Sequence, residues 1–384
     1  MDEKTSLSSL PSVKLRPMEI FDVAIVGGGP AGSSCAAFCA LASLHTLVLE
    51  RARFPREKVC GDCLNPSCWP VLEHLALTRQ VLDLPHSKLT SVEFIAINGR
   101  KVSVDLPTGN PTEAGEISVK RSLFDDLLLK RACELGAHIR EGTTVTALVH
   151  DQDWKIQTAT RESFRARILI GADGRNSTVA RLRNLLPRPA RERVALQAHI
   201  PLPLNFDERV VLQFLREGYS GQAPVNENEL NLCLVGRPST ISRLRQWAQH
   251  QFEIPANQRW RTITPLTRSP VHCAHENLLF VGDAARVVEP FTGEGIYYAL
   301  RSGELAAGAV AKIIRGEDRQ LALREFTRAS AEMYRGRLWI NRLARDAVLL
   351  PRIASGFVRA ARLQPAILRL LTRKIVALEM TKSD

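Results

Sequence analysis

Residues 21–50 read FDVAIVGGGPAGSSCAAFCALASLHTLVLE, and the reading of this stretch decides the fold. Phe21 to Val26 is an apolar run of strand length. It leads into Gly27-Gly28-Gly29-Pro30-Ala31-Gly32, a G-x-G-x-x-G turn. Ser33 to Leu44 reads as a small-residue helix, Thr46 to Leu49 as a second strand, and Glu50 closes it. Gly27 makes the tight turn, Gly29 lets backbone approach a pyrophosphate, and Gly32 lets helix and strand pack closely. The helix N-terminus offers free N–H groups and positive dipole to an anion. Glu50 stands where an acid accepts the ribose hydroxyls of an adenosine. A lone glycine turn can bind nothing. Strand, turn, helix, strand and acid in this order predict a dinucleotide-binding βαβ unit.

Two later segments extend the pattern. Residues 168–178 read ILIGADGRNST, an apolar strand running into Gly171-Ala172-Asp173-Gly174-Arg175. Residues 277–303 read NLLFVGDAARVVEPFTGEGIYYALRSG. Here a strand ends in Gly282-Asp283-Ala284, and Pro290-Phe291-Thr292-Gly293-Glu294-Gly295-Ile296 opens a helix.

With these motifs in order over about residues 20 to 310, the chain resembles the FAD-dependent oxidoreductases. That superfamily includes aromatic hydroxylases such as p-hydroxybenzoate hydroxylase, geranylgeranyl reductases and flavin-dependent halogenases. The motifs are most similar to the geranylgeranyl reductase-like group. The resemblance implies FAD as cofactor, held at Gly27, Gly29, Gly32, Glu50 and the adjoining Arg51. It implies that Asp283 binds the ribityl chain. Asp173 and Gly174 would stand near the pyrophosphate, with Asp173 helping to receive NAD(P)H as a transient reductant. Pro290, Gly293, Gly295 and Ile296 would form a helix start facing the flavin N1/C2=O edge, where a helix N-terminus stabilises the anionic reduced ring. Arg121, in ISVKRSLFDDLLLKRACELGA, matches an Arg that starts a helix beside FAD; the alternative is a solvated first-turn Arg.

The expected fold class is α/β: a discontinuous Rossmann-like FAD-binding domain with an inserted antiparallel-sheet substrate domain and a helical C-terminal tail. The FAD domain spans 20–90, 115–185 and 270–330, and the substrate domain 91–114 and 186–269. Residues 1–19 are expected to be a disordered tail, with Met18 a second candidate start. Residues 331–384 form a basic helical segment. SVEFIAI and KVSVDL predict a hairpin around Asn98-Gly99. RVALQAHIPL, RVVLQFL and ELNLCLVG, within 193–236, predict strands that cover the flavin, and Ser239 to Phe252 a helix. No second G-x-G-x-x-G is present, so nicotinamide would bind transiently over the FAD domain.

The 384 residues carry a net charge of +12 and eight cysteines. No apolar run reaches the roughly 18 residues that argue a membrane span, and the N-terminus lacks a signal-peptide apolar core. A reduced, cytoplasmic setting is the default expectation. No nucleic-acid motif accompanies the charge, and oligomeric state is not legible. From Arg335 to Asp384 there are eleven Lys and Arg against three Asp and Glu, with Arg345, Arg352 and Arg359 seven apart. Such a tail suits peripheral contact with an anionic membrane surface. Packing on the FAD domain with a solvated Arg face is the alternative.

Residues 58–69 read KVCGDCLNPSCW. Cys60, Cys63, Cys68 and His74 can be written as a zinc set, but the spacing lacks paired knuckles, and no metal is expected. A Cys60–Cys63 redox pair is a second reading. The third follows the resemblance: C-G-D resembles the Cys-Gly-acidic loop of geranylgeranyl reductases, in which Lys58, Cys60 and Gly61 would approach flavin and substrate. Cys60 is then a neutral thiol that orients a substrate carbon or gives it a proton, with Cys63 and Cys68 packing the loop.

FAD reduced by NAD(P)H either reacts with O2 to oxygenate a substrate or passes hydride to an alkene. The reductases carry G-Y-x-W-x-F-P along a prenyl channel. Gly218-Tyr219-Ser220-Gly221-Gln222-Ala223-Pro224 keeps that frame with Tyr219 in the pocket, but has Gly221 and Ala223 for the aromatics. This widening favours a monooxygenase of a lipophilic, ring or polyketide-like small molecule. A polyprenyl alkene reductase is the alternative, followed by a halogenase or a non-catalytic FAD binder.

Overall fold

The computed structural model describes residues 19–106, 115–188, 193–288 and 293–335. Five parallel strands lie side by side: Leu278–Phe280, Ser163–Gly171, Ile20–Val26, Thr46–Leu49 and His138–Arg140. The central strand buries Val23 and Ile25 in one apolar cluster and Ala24 and Val26 in another, on the opposite face. Burial on both faces explains why this strand is apolar throughout rather than alternating. The antiparallel pair Val145–His150 and Trp154–Thr158 and the short Ala274–His275 strand complete the sheet.

The first helix runs Pro30–Leu41, three residues earlier at each end than expected. Pro30 supplies a preset φ at the first helical position, and Ser43 at φ +61° turns the chain out after Leu41. This helix packs on Gly295–Ile314, where the Ser34 hydroxyl donates to the Leu300 carbonyl at 2.9 Å. That long helix begins at Gly295, with Asp283 and Gly293 on the segment before it.

A seven-stranded sheet lies against this body, in the order Arg261–Ile263, Val194–Pro201, Glu229–Gly236, Gly218–Pro224, Arg209–Leu215, Ser91–Ile95 and Lys101–Asp105. The hairpin around Asn98-Gly99 is present. The sheet differs from the all-antiparallel expectation at one junction: Ser91–Ile95 runs parallel to Arg209–Leu215, with Val92 opposite Val210. These strands are far apart in sequence, so no tight turn forces them antiparallel. Helix Ile241–Gln251 seals one sheet face through Leu244 and Ala248 against Leu232 and Leu234. The other face carries Ala195, Phe214, Tyr219 and Val235.

A third, small sheet joins Cys63–Leu64, Glu116–Val119 and His86–Leu89, with Cys63 opposite Ser118 and Glu116 opposite Leu89. Helix Arg319–Met333 follows the long helix. Pro290 and most of the basic tail, from residue 336 on, lie outside the described residues. Among those described, no helix is long and apolar enough to cross a membrane.

Candidate functional site

A cavity of about 900 Å³ opens at the C-terminal ends of the parallel strands, beneath the seven-stranded sheet. This is where open α/β sheets bind ligands, and the volume is at the upper end of the roughly 300–1,000 Å³ of small-molecule sites. Gly27 ends the first strand at φ +108°, a conformation glycine tolerates. Gly32 does not line the cavity. A methyl group there would lie 1.8 Å from the Gly27 carbonyl oxygen, so its role is to let helix meet turn. A methyl at Gly29 would meet only Arg56, with Nη2 at 3.4 Å, and would otherwise project into open space.

Glu50 is buried at the cavity wall. One carboxylate oxygen accepts from the Gly28 amide at 2.6 Å and the other from the Ala52 amide at 2.8 Å. Each oxygen keeps a lone pair for a hydroxyl donor. Arg51 also lines the cavity. Arg121 opens helix Arg121–Glu134 and pairs with Asp125 through two contacts of 2.6 and 2.7 Å; Arg56 shares that carboxylate at 2.8 Å. Burial opposes the Arg121 charge, but Asp125 more than offsets it and keeps the guanidinium charged.

Asp173 caps helix Thr178–Leu182 by accepting the Thr178 and Val179 amides at 2.6 and 3.1 Å; burial pushes its carboxyl up. Asp283 accepts from Arg175 Nη2 at 2.9 Å. Lys58 is pushed down to about 8, by burial and then by Arg121, with Asp283 acting against both. Gly174, Gly293, Gly295 and Ile296 complete this end.

Cys60 and Tyr219 line the cavity on the side of the seven-stranded sheet. All eight cysteines are free thiols, and Cys63 donates to the Gly61 carbonyl at 3.3 Å. Burial raises the Cys60 thiol, while Arg121 beside it and the Asp62 amide act against that shift. Asn231 Nδ2 and Cys233 Sγ donate to the Cys60 carbonyl at 2.8 and 3.2 Å, stapling the loop to strand Glu229–Gly236.

Two features escaped sequence reasoning. Asp62, with no exposed surface and φ +61°, pairs with His199 Nε2 at 2.8 Å. A polar His in the apolar run RVALQAHIPL was the available signal. Burial raises the Asp62 carboxyl, and the His199 hydrogen bond pulls it back. Glu116 also faces the cavity, and burial pushes its carboxyl up to about 7.

A family model described as the FAD binding domain matches residues 21–335. The chain belongs to that family. The menaquinone reductase of Mycobacterium tuberculosis is 31% identical over 313 residues, spanning 74% of this chain and 75% of that protein. The geranylgeranyl diphosphate reductase of Rhodobacter capsulatus is 30% identical over 322 residues, 77% and 76% of the two. Among solved structures, Pseudomonas aeruginosa PqsL in complex with 2-aminobenzoylacetate has a TM-score of 0.75 at 18% identity, covering 88% of this chain and 99% of that one. Flavin-dependent brominase Bmp2 has a TM-score of 0.73 at 19% identity, covering 94% and 96%. At these identities the two structures show the shared fold. The protein is a FAD-dependent oxidoreductase, and NAD(P)H is the reductant typical of the family.

The residues fit FAD on their own terms. Asp173 Oδ1 and Arg175 Nε and Nη1 are buried at the cavity with no hydrogen-bond partner among the described residues. Buried polar atoms of this kind are rarely left without partners, and a ligand bearing hydroxyls and phosphates supplies both acceptors and donors. Glu50, Gly29, Asp173, Arg175 and Asp283 are the residues that would hold it.

Proposed function

We propose that the protein reduces a C=C bond in a lipophilic, polyprenyl-bearing small molecule, with NAD(P)H as the electron source. The observation that carries this reading is the composition of the wall around Cys60. Val59, Phe94, Leu106, Leu212, Tyr219 and Leu266 give that side an apolar lining, and burial raises the Cys60 thiol there and keeps it uncharged. Bound FAD supplies the hydride. The protein must then seat an apolar chain, exclude water and offer one proton from a neutral acid. An apolar surface binds a polyprenyl chain by removing it from water, and dryness keeps the proton donors uncharged. The Gly293–Ile296 helix start and the charged Arg121 provide positive potential for the electron-rich cofactor. The reductase relatives support this choice, since menaquinone and geranylgeranyl diphosphate both carry unsaturated polyprenyl chains.

A second reading, oxygenation of a ring-bearing substrate, draws support from Gly221 and Ala223. Both line the cavity, and a methyl on Gly221 would touch only Leu212, at 3.7 Å. That leaves space for a ring. The two readings separate in an anaerobic experiment. Protein reduced with NADPH is mixed under argon with a menaquinone whose chain is unsaturated, and in parallel with the fully saturated analogue. Because the quinone ring of either compound accepts electrons, side-chain product is scored by mass spectrometry. Side-chain reduction in the first mixture supports the reductase. An untouched chain, with oxidised product on admitting air, supports the oxygenase.

A further inference from the structure

Among the described residues, five carboxylates line the cavity: Glu50, Glu57, Glu116, Asp173 and Asp283. Four are committed. Glu50 and Asp173 each accept two backbone amides, and Asp283 holds Arg175. Glu57 faces Arg261 at 3.8 Å and His199 at 4.0 Å. Glu116 has no hydrogen bond or ion pair among the described residues.

Its direction is set by its strand. In Glu116–Val119, Ile117 and Val119 are buried in the main apolar cluster. Glu116 and Ser118, one strand period apart, point the other way. The Ser118 hydroxyl donates to the carbonyl of Pro224, on the Gly218–Pro224 strand of the seven-stranded sheet. The Glu116 face therefore looks into the space between the two sheets. The strand is pinned just before Glu116 by the Trp69 indole, which donates to the Gly115 carbonyl at 2.9 Å. A methyl on Gly293 would lie 3.9 Å from Glu116 Oε1, so the carboxyl sits against the turn that opens the long helix.

We propose that Glu116 is the general acid that protonates the substrate carbon during C=C reduction; this rests on the reductase reading. The π bond breaks, one carbon takes the hydride supplied by the bound cofactor, and the other takes the Glu116 proton. The hydride pair forms one new C–H bond, the π pair takes the proton to form the other, and the carboxylate regains its proton from water. Two observations favour this carboxyl over the Cys60 thiol. Cys60 is tied to Arg121 and the Asp62 amide, whereas Glu116 is uncommitted. Burial lifts Glu116 to about 7, which leaves part of it protonated at neutral pH and makes it a far stronger acid than a thiol raised above its ordinary range. The titratable groups facing Glu116 are Cys63 and Cys68, whose thiols are also raised, by burial first and then by Glu116. No cation faces it among the described residues.

The test uses the full-length FAD-loaded protein, reduced chemically with dithionite so that NAD(P)H binding does not enter. Transfer to unsaturated geranylgeranyl diphosphate is followed in single turnover from pH 5.5 to 9. The wild-type rate is expected to fall as pH rises through about 7. Glu116→Gln should lose about a hundredfold or more, the lower end of general-acid effects, and lose the pH dependence. Glu116→Asp should restore part of the rate with a displaced profile. Cys60→Ser, whatever its rate, should still slow as pH rises through about 7. FAD content of each variant reports folding. Independently of turnover, the infrared C=O band of a protonated carboxyl should titrate near 7 in wild type and vanish in Glu116→Gln. A Glu116→Gln rate within tenfold of wild type with its pH profile retained overturns the proposal, as does a band unchanged by the substitution. Wild-type protein that reduces no C=C bond, while the band behaves as expected, sinks the reductase reading instead.

Discussion

Replacing His199 by alanine leaves a buried carboxylate without its partner. Asp62 has no exposed surface, its Oδ2 lies 2.8 Å from His199 Nε2, and its Oδ1 has no hydrogen bond among the described residues. Removing one member of a buried pair costs about 3–5 kcal/mol when the other stays charged. Asp62 can instead take a proton, because burial already raises its carboxyl and the lost His199 hydrogen bond was what held it down. A neutral, unsatisfied carboxyl costs about 1–3 kcal/mol. The expected loss for His199→Ala is therefore about 2–4 kcal/mol at pH 8. The sign with pH follows from the raised carboxyl. The folded variant binds a proton that the unfolded chain has lost above its ordinary carboxyl range, so the variant loses stability as pH rises through that window. The deficit should be smaller at pH 5.5 than at pH 8. Adding Asp62→Asn should remove that pH dependence. Urea denaturation followed by tryptophan fluorescence measures all three proteins at both pH values. A deficit under about 1 kcal/mol at pH 8, or one that Asp62→Asn leaves equally pH-dependent, refutes the reasoning.

Gly29→Ala and Gly32→Ala should fail differently. Gly32→Ala puts a methyl 1.8 Å from the Gly27 carbonyl oxygen and should lower the thermal midpoint of the apoprotein, whereas Gly29→Ala meets only Arg56 and should lose FAD affinity with the apoprotein midpoint unchanged. Glu50→Ala removes the acceptor of the Gly28 and Ala52 amides as well as the expected ribose acceptor, and should weaken FAD binding at least tenfold by calorimetric titration, about 1.4 kcal/mol or more. Glu116→Gln should gain stability over wild type as pH rises from about 4.5 to about 7, by at most about 3 kcal/mol. The sign follows because a carboxyl raised by burial destabilises the fold once it must ionise. Urea midpoints at pH 5 and pH 8 that move in parallel for the two proteins would contradict it.

Much of the fold was legible because the elements that carry it are local. Strand, glycine turn, helix and second strand fall within residues 20–50, and each is fixed by its own residue pattern. The cavity wall was legible where a motif ends a strand: Glu50, Asp173 and Asp283 follow apolar runs and land at the C-terminal ends of the parallel strands. The three-stranded sheet was not, because its strands are two to four residues long and come from three distant segments. Nothing in EISV signals that Glu116 faces the cavity. The Asp62–His199 pair was hidden for the same reason: 137 residues separate its members, and only the folded sheet brings them together.

The central claim is that this cavity hosts reduction of a C=C bond, and the mass of the product formed in air tests it most directly. Purified, FAD-loaded protein is given NADPH and geranylgeranyl diphosphate in aerated buffer, and the prenyl product is weighed by mass spectrometry. The account predicts a product that has gained pairs of hydrogens and no oxygen, with the same product under argon. A prenyl product that has gained oxygen, and that forms only in air, contradicts it.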